Sequence, residues 1–263
     1  MTPSQIRELI LRESYRAHVG HIGSCLSIAD MVAVLFNDVL HNPGTDDPRR
    51  DRFILSKGHA VLALYAAMHL KGLLTREELE TYCADGSLLG SHPDHRLRGI
   101  EFSTGSLGMG LSLAAGLALA SRMRSSPARS FVLMSDAELN EGSVWETVMF
   151  ASHHHLSNLV ALIDCNGQQA MGRTDAIVNT EPLVDKWRAF GWTPREVDGH
   201  DADALHSALT ASPEQQRPTA IIARTVFGKG VSFMERDLQW HYYPIDEAKL
   251  AQALEGLQLS TET

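Results

Sequence analysis

Phe131-Val132-Leu133-Met134-Ser135-Asp136 and, one helix later, Leu159-Val160-Ala161-Leu162-Ile163-Asp164-Cys165-Asn166 are the stretches that decide how this chain folds. Each is a short apolar run ending in polar residues, the pattern of a strand buried on both faces. Residues 143–155 between them read as a helix. Strand, helix and strand in that order make a parallel pair joined by a right-handed crossover. The alternation continues outward. Phe53-Ile54-Leu55 reads as a strand, followed by an Ala- and Leu-rich helix to about Lys71. Trp192 to Val197 reads as a strand, 201–211 as a helix, and Thr219 to Ala223 as a strand. Further helices are expected over 4–17, over 27–40, from the glycine-rich loop to about Met123, and from near Asp246. Thr180 is expected to cap a helix running from Pro182 to about Phe190. The fold class is therefore α/β, a parallel sheet flanked by helices in one domain.

The bulk properties agree. The chain has 263 residues, 44% hydrophobic and 21% charged, which is enough apolar side chain for one full core. Lys and Arg number 23 against 32 Asp and Glu, a net charge of −9, so the basic field that a nucleic-acid backbone requires is missing. Cys25, Cys83 and Cys165 are odd in number and widely spaced. They fit neither a disulfide framework nor a zinc site and suit a reducing cytoplasm. The first residues carry no apolar signal core, so export is not expected. No charge lies between Glu101 and Arg122, but Gly105, Gly108, Gly110 and Gly116 make that stretch a loop feeding a small-residue helix. A membrane span is not expected.

Open parallel sheets bind ligands beyond the carboxyl ends of their strands. Asp136 and Asn166 end neighbouring strands and would emerge side by side, a pair of hard oxygen donors suited to Mg²⁺ or Ca²⁺. They would equally serve as a helix cap and a loop turn. His59 follows a strand and opens a helix, where an anion meets backbone amides. Thr104 to Gly110 could cradle a phosphate, and Lys229, in Phe227-Gly228-Lys229-Gly230, could reach a diphosphate as a point charge. Four histidines, His21, His59, His92 and His241, lie in loops. By contrast, His153-His154-His155 ends a helix with its side chains pointing in different directions, and is assigned no ligand role.

The run Asp136-Ala137-Glu138-Leu139-Asn140-Glu141-Gly142, followed by Asp164-Cys165-Asn166, resembles the thiamine-diphosphate motif, GDG with an Asn further along. Gly20-His21-Ile22-Gly23, Ser56-Lys57-Gly58-His59, Gly90-Ser91-His92-Pro93, Thr104-Gly105-Ser106-Leu107-Gly108 and Trp240-His241 resemble, in order, the loops of transketolase. The resemblance covers the whole chain but only the first half of a transketolase, and so implies the N-terminal, diphosphate-binding subunit of a split enzyme. It implies Asp136, the Asn166 side chain and the Gln168 carbonyl as ligands of Mg²⁺, with Ca²⁺ as the alternative. It implies that the Ala137 amide, His59, Gly105, Lys229 and His241 hold the diphosphate and that Leu107 packs near the thiazolium. His21, His59, His92 and His241 would line the channel to the reactive carbon. Glu141 and Glu146 resemble the acids that link cofactors across the subunit interface, although acids in a first helical turn are also favourable with the helix dipole.

The implied reaction is transfer of a two-carbon ketol unit from a ketose, or its phosphate, to an aldose. Pentose phosphates are the default substrates. Residues 1–263 are expected to form a single diphosphate domain, with the pyrimidine and C-terminal domains on a separate subunit in an α₂β₂ assembly. The sequence departs from the motif at Ser135 and Ala137, which stand where the family has glycine. A Cβ on left-handed backbone at Ala137 would cost roughly 1–2 kcal/mol, so weakened cofactor binding is expected. Two alternatives remain at this point: another thiamine enzyme of the 1-deoxyxylulose-phosphate-synthase type, or a non-catalytic relative. A nicotinamide dehydrogenase is excluded, since Gly105-x-x-Gly108-x-Gly110 has the wrong order.

Overall fold

The computed structural model describes residues 1–214 and 216–259. From the N-terminus, α1 (Pro3–Ala17), α2 (Ile22–Ser27) and α3 (Ala29–Val34) lead through a π-helical turn to β1 (Arg52–Leu55). Next come α4 (Val61–Leu70), the short α5 (Arg76–Leu79) and α6 (Gly110–Met123). The unit on which the sequence reading turned follows as β2 (Ser130–Ser135), α7 (Gly142–His153) and β3 (Leu159–Cys165). A small hairpin, β4 (Gln168–Gln169) and β5 (Gly172–Arg173), precedes α8 (Thr174–Ile177) and α9 (Leu183–Ala189). The chain continues through β6 (Thr193–Asp198), α10 (Ala202–Thr210), β7 (Thr219–Arg224) and α11 (Glu247–Leu259).

Five strands form one parallel sheet in the order β1-β2-β3-β7-β6. Ser135 lies opposite Asp164, which puts the next residues, Asp136 and Asn166, at the same edge, as the sequence required. The two-residue period of the strands divides the core. Phe131, Leu133, Val160, Leu162, Ile221 and Ala223 face the cluster built with α1 to α4, α10 and α11. Val132, Met134, Ala161, Ile163, Ala220 and Ile222 face the cluster built with α6, α7 and α9.

Local chemistry sets several boundaries. Thr2 caps α1 by accepting from the Gln5 amide (3.2 Å) while its own amide donates to the Gln5 side chain (2.8 Å), and Pro3 opens the first turn. The helix expected over 27–40 instead begins at Ile22, directly after His21, and is interrupted at Ile28. Thr180 does not cap α9. The Leu183 amide donates to the Glu181 carboxylate (2.8 Å), whose longer side chain reaches it, and Thr180 contributes only its carbonyl, to Lys186 Nζ (2.7 Å). The β4–β5 hairpin, α5 and α8 are too short to leave a readable period.

Candidate active site

Because the strands run the same way, the residues that follow β1, β2, β3 and β7 meet at one edge and wall a cleft of about 490 Å³. His21, His59, His92 and His241, distant in sequence, come together here. The His21 ring centroid lies 4.9 Å from that of His241, 5.3 Å from His59 and 6.3 Å from His92, and His59 is 5.4 Å from His241. Two of these loops are tied by backbone, since the His21 amide donates to the His241 carbonyl (3.0 Å). His92 can approach because residue 105 is glycine, with φ 147° and a Cβ position only 2.7 Å from the imidazole.

Burial lowers the pKa of all four rings. It is the first cause lowering His21 to about 4, reinforced by His241, His92 and Lys57. Burial followed by the Lys57 charge and the neighbouring rings holds His59 well below its ordinary value. Burial lowers His92, and burial with Lys57 lowers His241. At neutral pH the cleft therefore presents uncharged imidazoles. His59 Nε2 lies 2.9 Å from Ser24 Oγ, whereas His21 Nδ1 is buried with no hydrogen-bond partner.

Beneath the rings lies a buried ionic floor. Lys57 is fully buried, its ammonium bound to Asp164 and to the Ser24 carbonyl (3.3 Å). Asp164 also accepts from Ser27 Oγ (2.8 Å), Asn166 Nδ2 (2.8 Å) and Thr225 Oγ. Ser24 and Lys57 line the cleft and Asp164 lies buried behind Lys57, and sequence reasoning left all three without a role. Their one signal was position, at a strand end or in a histidine loop.

Asp136 and Asn166 are neighbours as expected: Asp136 Oδ2 accepts from the Gly167 amide (3.0 Å), and Asn166 Oδ1 accepts from the Gln168 amide (2.9 Å). Burial, then the Asp164 charge, pushes Asp136 up to about 7, against the Gly167 amide and Lys57. Among the described residues it has no Lys or Arg ion-pair partner and no group of three His, Cys, Asp or Glu that could hold a metal ion. A cation here would thus be held by one carboxylate with amide and carbonyl oxygens. That donor set fits a hard divalent ion, and a buried carboxylate without a counter-charge calls for one.

Ala137, Leu107, Gly105 and Glu141 line the cleft, with Glu141 exposed at its mouth. Glu146 is exposed on α7 and is not part of the wall. The Ala137 amide, expected to face a diphosphate, donates to Asp136 Oδ1 (3.0 Å). Ala137 lies in the 3₁₀ turn Asp136–Asn140 and has no positive φ, so the expected strain is absent. Lys229 is not brought to the cleft wall. It borders an adjoining hollow with Asp198, His200 and Arg236, and its carbonyl accepts from Arg7 Nε (3.0 Å). His153 to His155 act through backbone, as Arg122 Nη1 donates to the His155 carbonyl (2.7 Å). Among the described residues no helix is long and apolar enough to cross a membrane.

Residues 2–262 match the family described as transketolase, thiamine diphosphate binding domain. The chain belongs to the transketolase family. It is 43% identical over 259 residues to the 6-deoxy-6-sulfo-D-fructose transketolase subunit SqwG of Clostridium sp. (strain MSTE9), covering 96% of this chain and 94% of that one. It is 38% identical over 240 residues to a subunit of the apulose-4-phosphate transketolase of Phocaeicola vulgatus, covering 90% and 85%. Transketolase from Campylobacter jejuni superposes with a TM-score of 0.90 at 29% identity, covering 97% of this chain and 42% of that one. The chain thus spans about two fifths of that solved transketolase, its thiamine-diphosphate-binding part, and nearly the full length of the two relatives named as subunits. The transketolase reading of the sequence holds, and the alternative of a different thiamine enzyme is not favoured.

Proposed function

We propose that this chain is the cofactor-binding subunit of a two-subunit transketolase. With a separate C-terminal subunit, in an α₂β₂ assembly, it moves a two-carbon ketol unit from a ketose to an aldose. The carrying observation is the ring of four uncharged histidines over a cleft walled also by Ala137, Asn166, Gly105 and Leu107. In this reading Asp136, the Asn166 amide oxygen and the Gln168 carbonyl hold Mg²⁺, or Ca²⁺. The Ala137 amide, Gly105, His59, His241 and, from the adjoining hollow, Lys229 hold the diphosphate. Leu107 packs beside the thiazolium. Bound there, thiamine diphosphate supplies the nucleophilic carbon and the electron sink for carbon–carbon cleavage.

The chain's own contribution is to orient and to move protons. Neutral imidazoles can take a proton from a sugar hydroxyl and return it, which a permanently charged ring cannot do. His21 Nδ1, buried and unpartnered, would gain its missing bond from a bound hydroxyl. In this reading Glu141 at the mouth and Glu146 on the exposed side of α7 would face the partner subunit. Exposed Met149 and Phe150 on the same helix support docking there.

Pentose phosphates are the default substrates, and relatives named for a sulfosugar and for apulose-4-phosphate add those ketose classes as donors to test. A cytoplasmic site belongs to the same reading, with Cys25, Cys83 and Cys165 all free thiols. The test mixes the purified chain with its C-terminal subunit, thiamine diphosphate and Mg²⁺, and follows ketol transfer from sugar phosphates and sulfosugars. Transfer should require both subunits and vanish in Asp136→Ala. Turnover by this chain alone, or none by the mixture with any donor, refutes the reading.

A further inference from the structure

Among the described residues Glu138 is one of few fully buried carboxylates, and it does not line the cleft. Its two oxygens collect donors from three separate stretches of chain. Oε1 accepts from Ser56 Oγ (2.5 Å) and from the Gly108 amide (2.9 Å), and Oε2 accepts from the Ser135 amide (3.0 Å). Ser56 Oγ passes the connection on by accepting from the Gly110 amide (3.2 Å). Ser135 Oγ in turn accepts from the Glu138 amide (3.3 Å), which fixes the turn that aims the carboxylate. The three stretches leave β1, lead into α6 and leave β2. They carry His59, then Gly105 and Leu107, then Asp136 and Ala137.

These loops touch with no slack. A Cβ on Gly110 would fall 2.2 Å from Ser56 Oγ, so the approach that lets the Gly110 amide reach Ser56 requires glycine there. All three partners of the carboxylate are donors. An ionised carboxylate satisfies every one, whereas an amide of the same shape turns an NH₂ group toward one of them.

We propose that Glu138 is a positioning residue, whose carboxylate clamps the His59, Gly105–Leu107 and Asp136–Ala137 loops at the separation that thiamine diphosphate binding needs. The clamp itself is a property of the chain alone. Its effect on cofactor affinity rests on the function proposed above.

The test compares wild type, Glu138→Gln and Ser56→Ala, which withdraws one donor from Glu138 and also the acceptor of the Gly110 amide. Backbone amide hydrogen exchange is measured on the full chain without cofactor, and thiamine diphosphate affinity with Mg²⁺ is measured by calorimetry on the chain mixed with its C-terminal subunit. Glu138→Gln should speed exchange at Gly108 and Gly110 at least tenfold, leave the amides of residues 131–133 and 160–163 unchanged, and weaken cofactor binding at least tenfold. Ser56→Ala should speed exchange at Gly108 and weaken cofactor binding to a smaller degree, Gly110 being set aside in that variant because its own acceptor is removed. Wild-type exchange in the loops of both variants overturns the proposal. So does equal acceleration in loops and sheet, which would make Glu138 a general stability residue. Should Glu138→Gln fail to fold, Ser56→Ala decides on the same readouts. If wild type binds no thiamine diphosphate, the functional reading falls, and the exchange experiment still judges the clamp.

Discussion

The two faces of the sheet are finished differently. On one, α4 is packed among α1, α2 and α3, so that every residue from Val61 to Met68 is buried, an apolar helix inside the protein. On the other, α6 and α7 form a single layer whose outer side stays open. Met109 is 55%, Met149 51% and Phe150 41% exposed, with Ser112, Gly116 and Glu146 exposed among them. The cleft sits where the two faces meet, at the strand ends. The first face is complete within this chain. The second leaves Met109, Met149 and Phe150 exposed among small and polar residues beside the site, and on the function proposed above it is the surface a partner subunit would cover.

The comparison can be broken in several ways. The largest effect is expected on the closed face: Leu64→Ala in α4 should cost about 2–5 kcal/mol of stability in denaturant unfolding, with association to the C-terminal subunit unchanged once folded. Phe150→Asp on the open face should do the reverse. Unfolding should shift by no more than about 0.5 kcal/mol, while association, measured by sedimentation or calorimetry, weakens about tenfold or more. A stability loss with intact association would show that the open face is not where the partner docks.

At the cleft the sign of the pH dependence follows from His21. Its pKa is about 4 in the fold against an ordinary 6.5, so between those values the unfolded chain binds the extra proton. Stability is complete above 6.5 and falls as pH drops toward 4. His59, His92 and His241 shift in the same direction. The denaturation midpoint of His21→Asn should therefore fall less steeply across that window than that of wild type. The smallest effect is expected at Ala137→Gly. Because Ala137 is not left-handed, glycine relieves nothing there, and stability should drop by about 0.5–1 kcal/mol with cofactor affinity held within twofold. A marked gain in affinity would restore the strain argument.

Much of the fold was legible because its signals are local. The apolar runs at 131–134 and 159–163 gave the central strands, and the polar residues after them gave the edge where Asp136 and Asn166 meet. The four loop histidines could be named in advance, and the fold brings their rings together. Short elements such as the β4–β5 hairpin were illegible because two residues carry no period. Thr180 misled because a capping residue type says nothing about which neighbouring side chain reaches the amide first.

The sequence by itself determined the α/β class, the strand edge at which the cleft lies and several residues of its wall, since strand periodicity and strand ends are written within a few consecutive residues. Only the tertiary structure decided that Lys57 and Asp164 form the buried floor, that Lys229 lies outside the wall, that Ala137 is unstrained, and that Glu138 joins three loops. Those outcomes depend on desolvation and on the spacing of chain segments far apart in sequence, such as Ser56 and Glu138. No local pattern encodes either quantity.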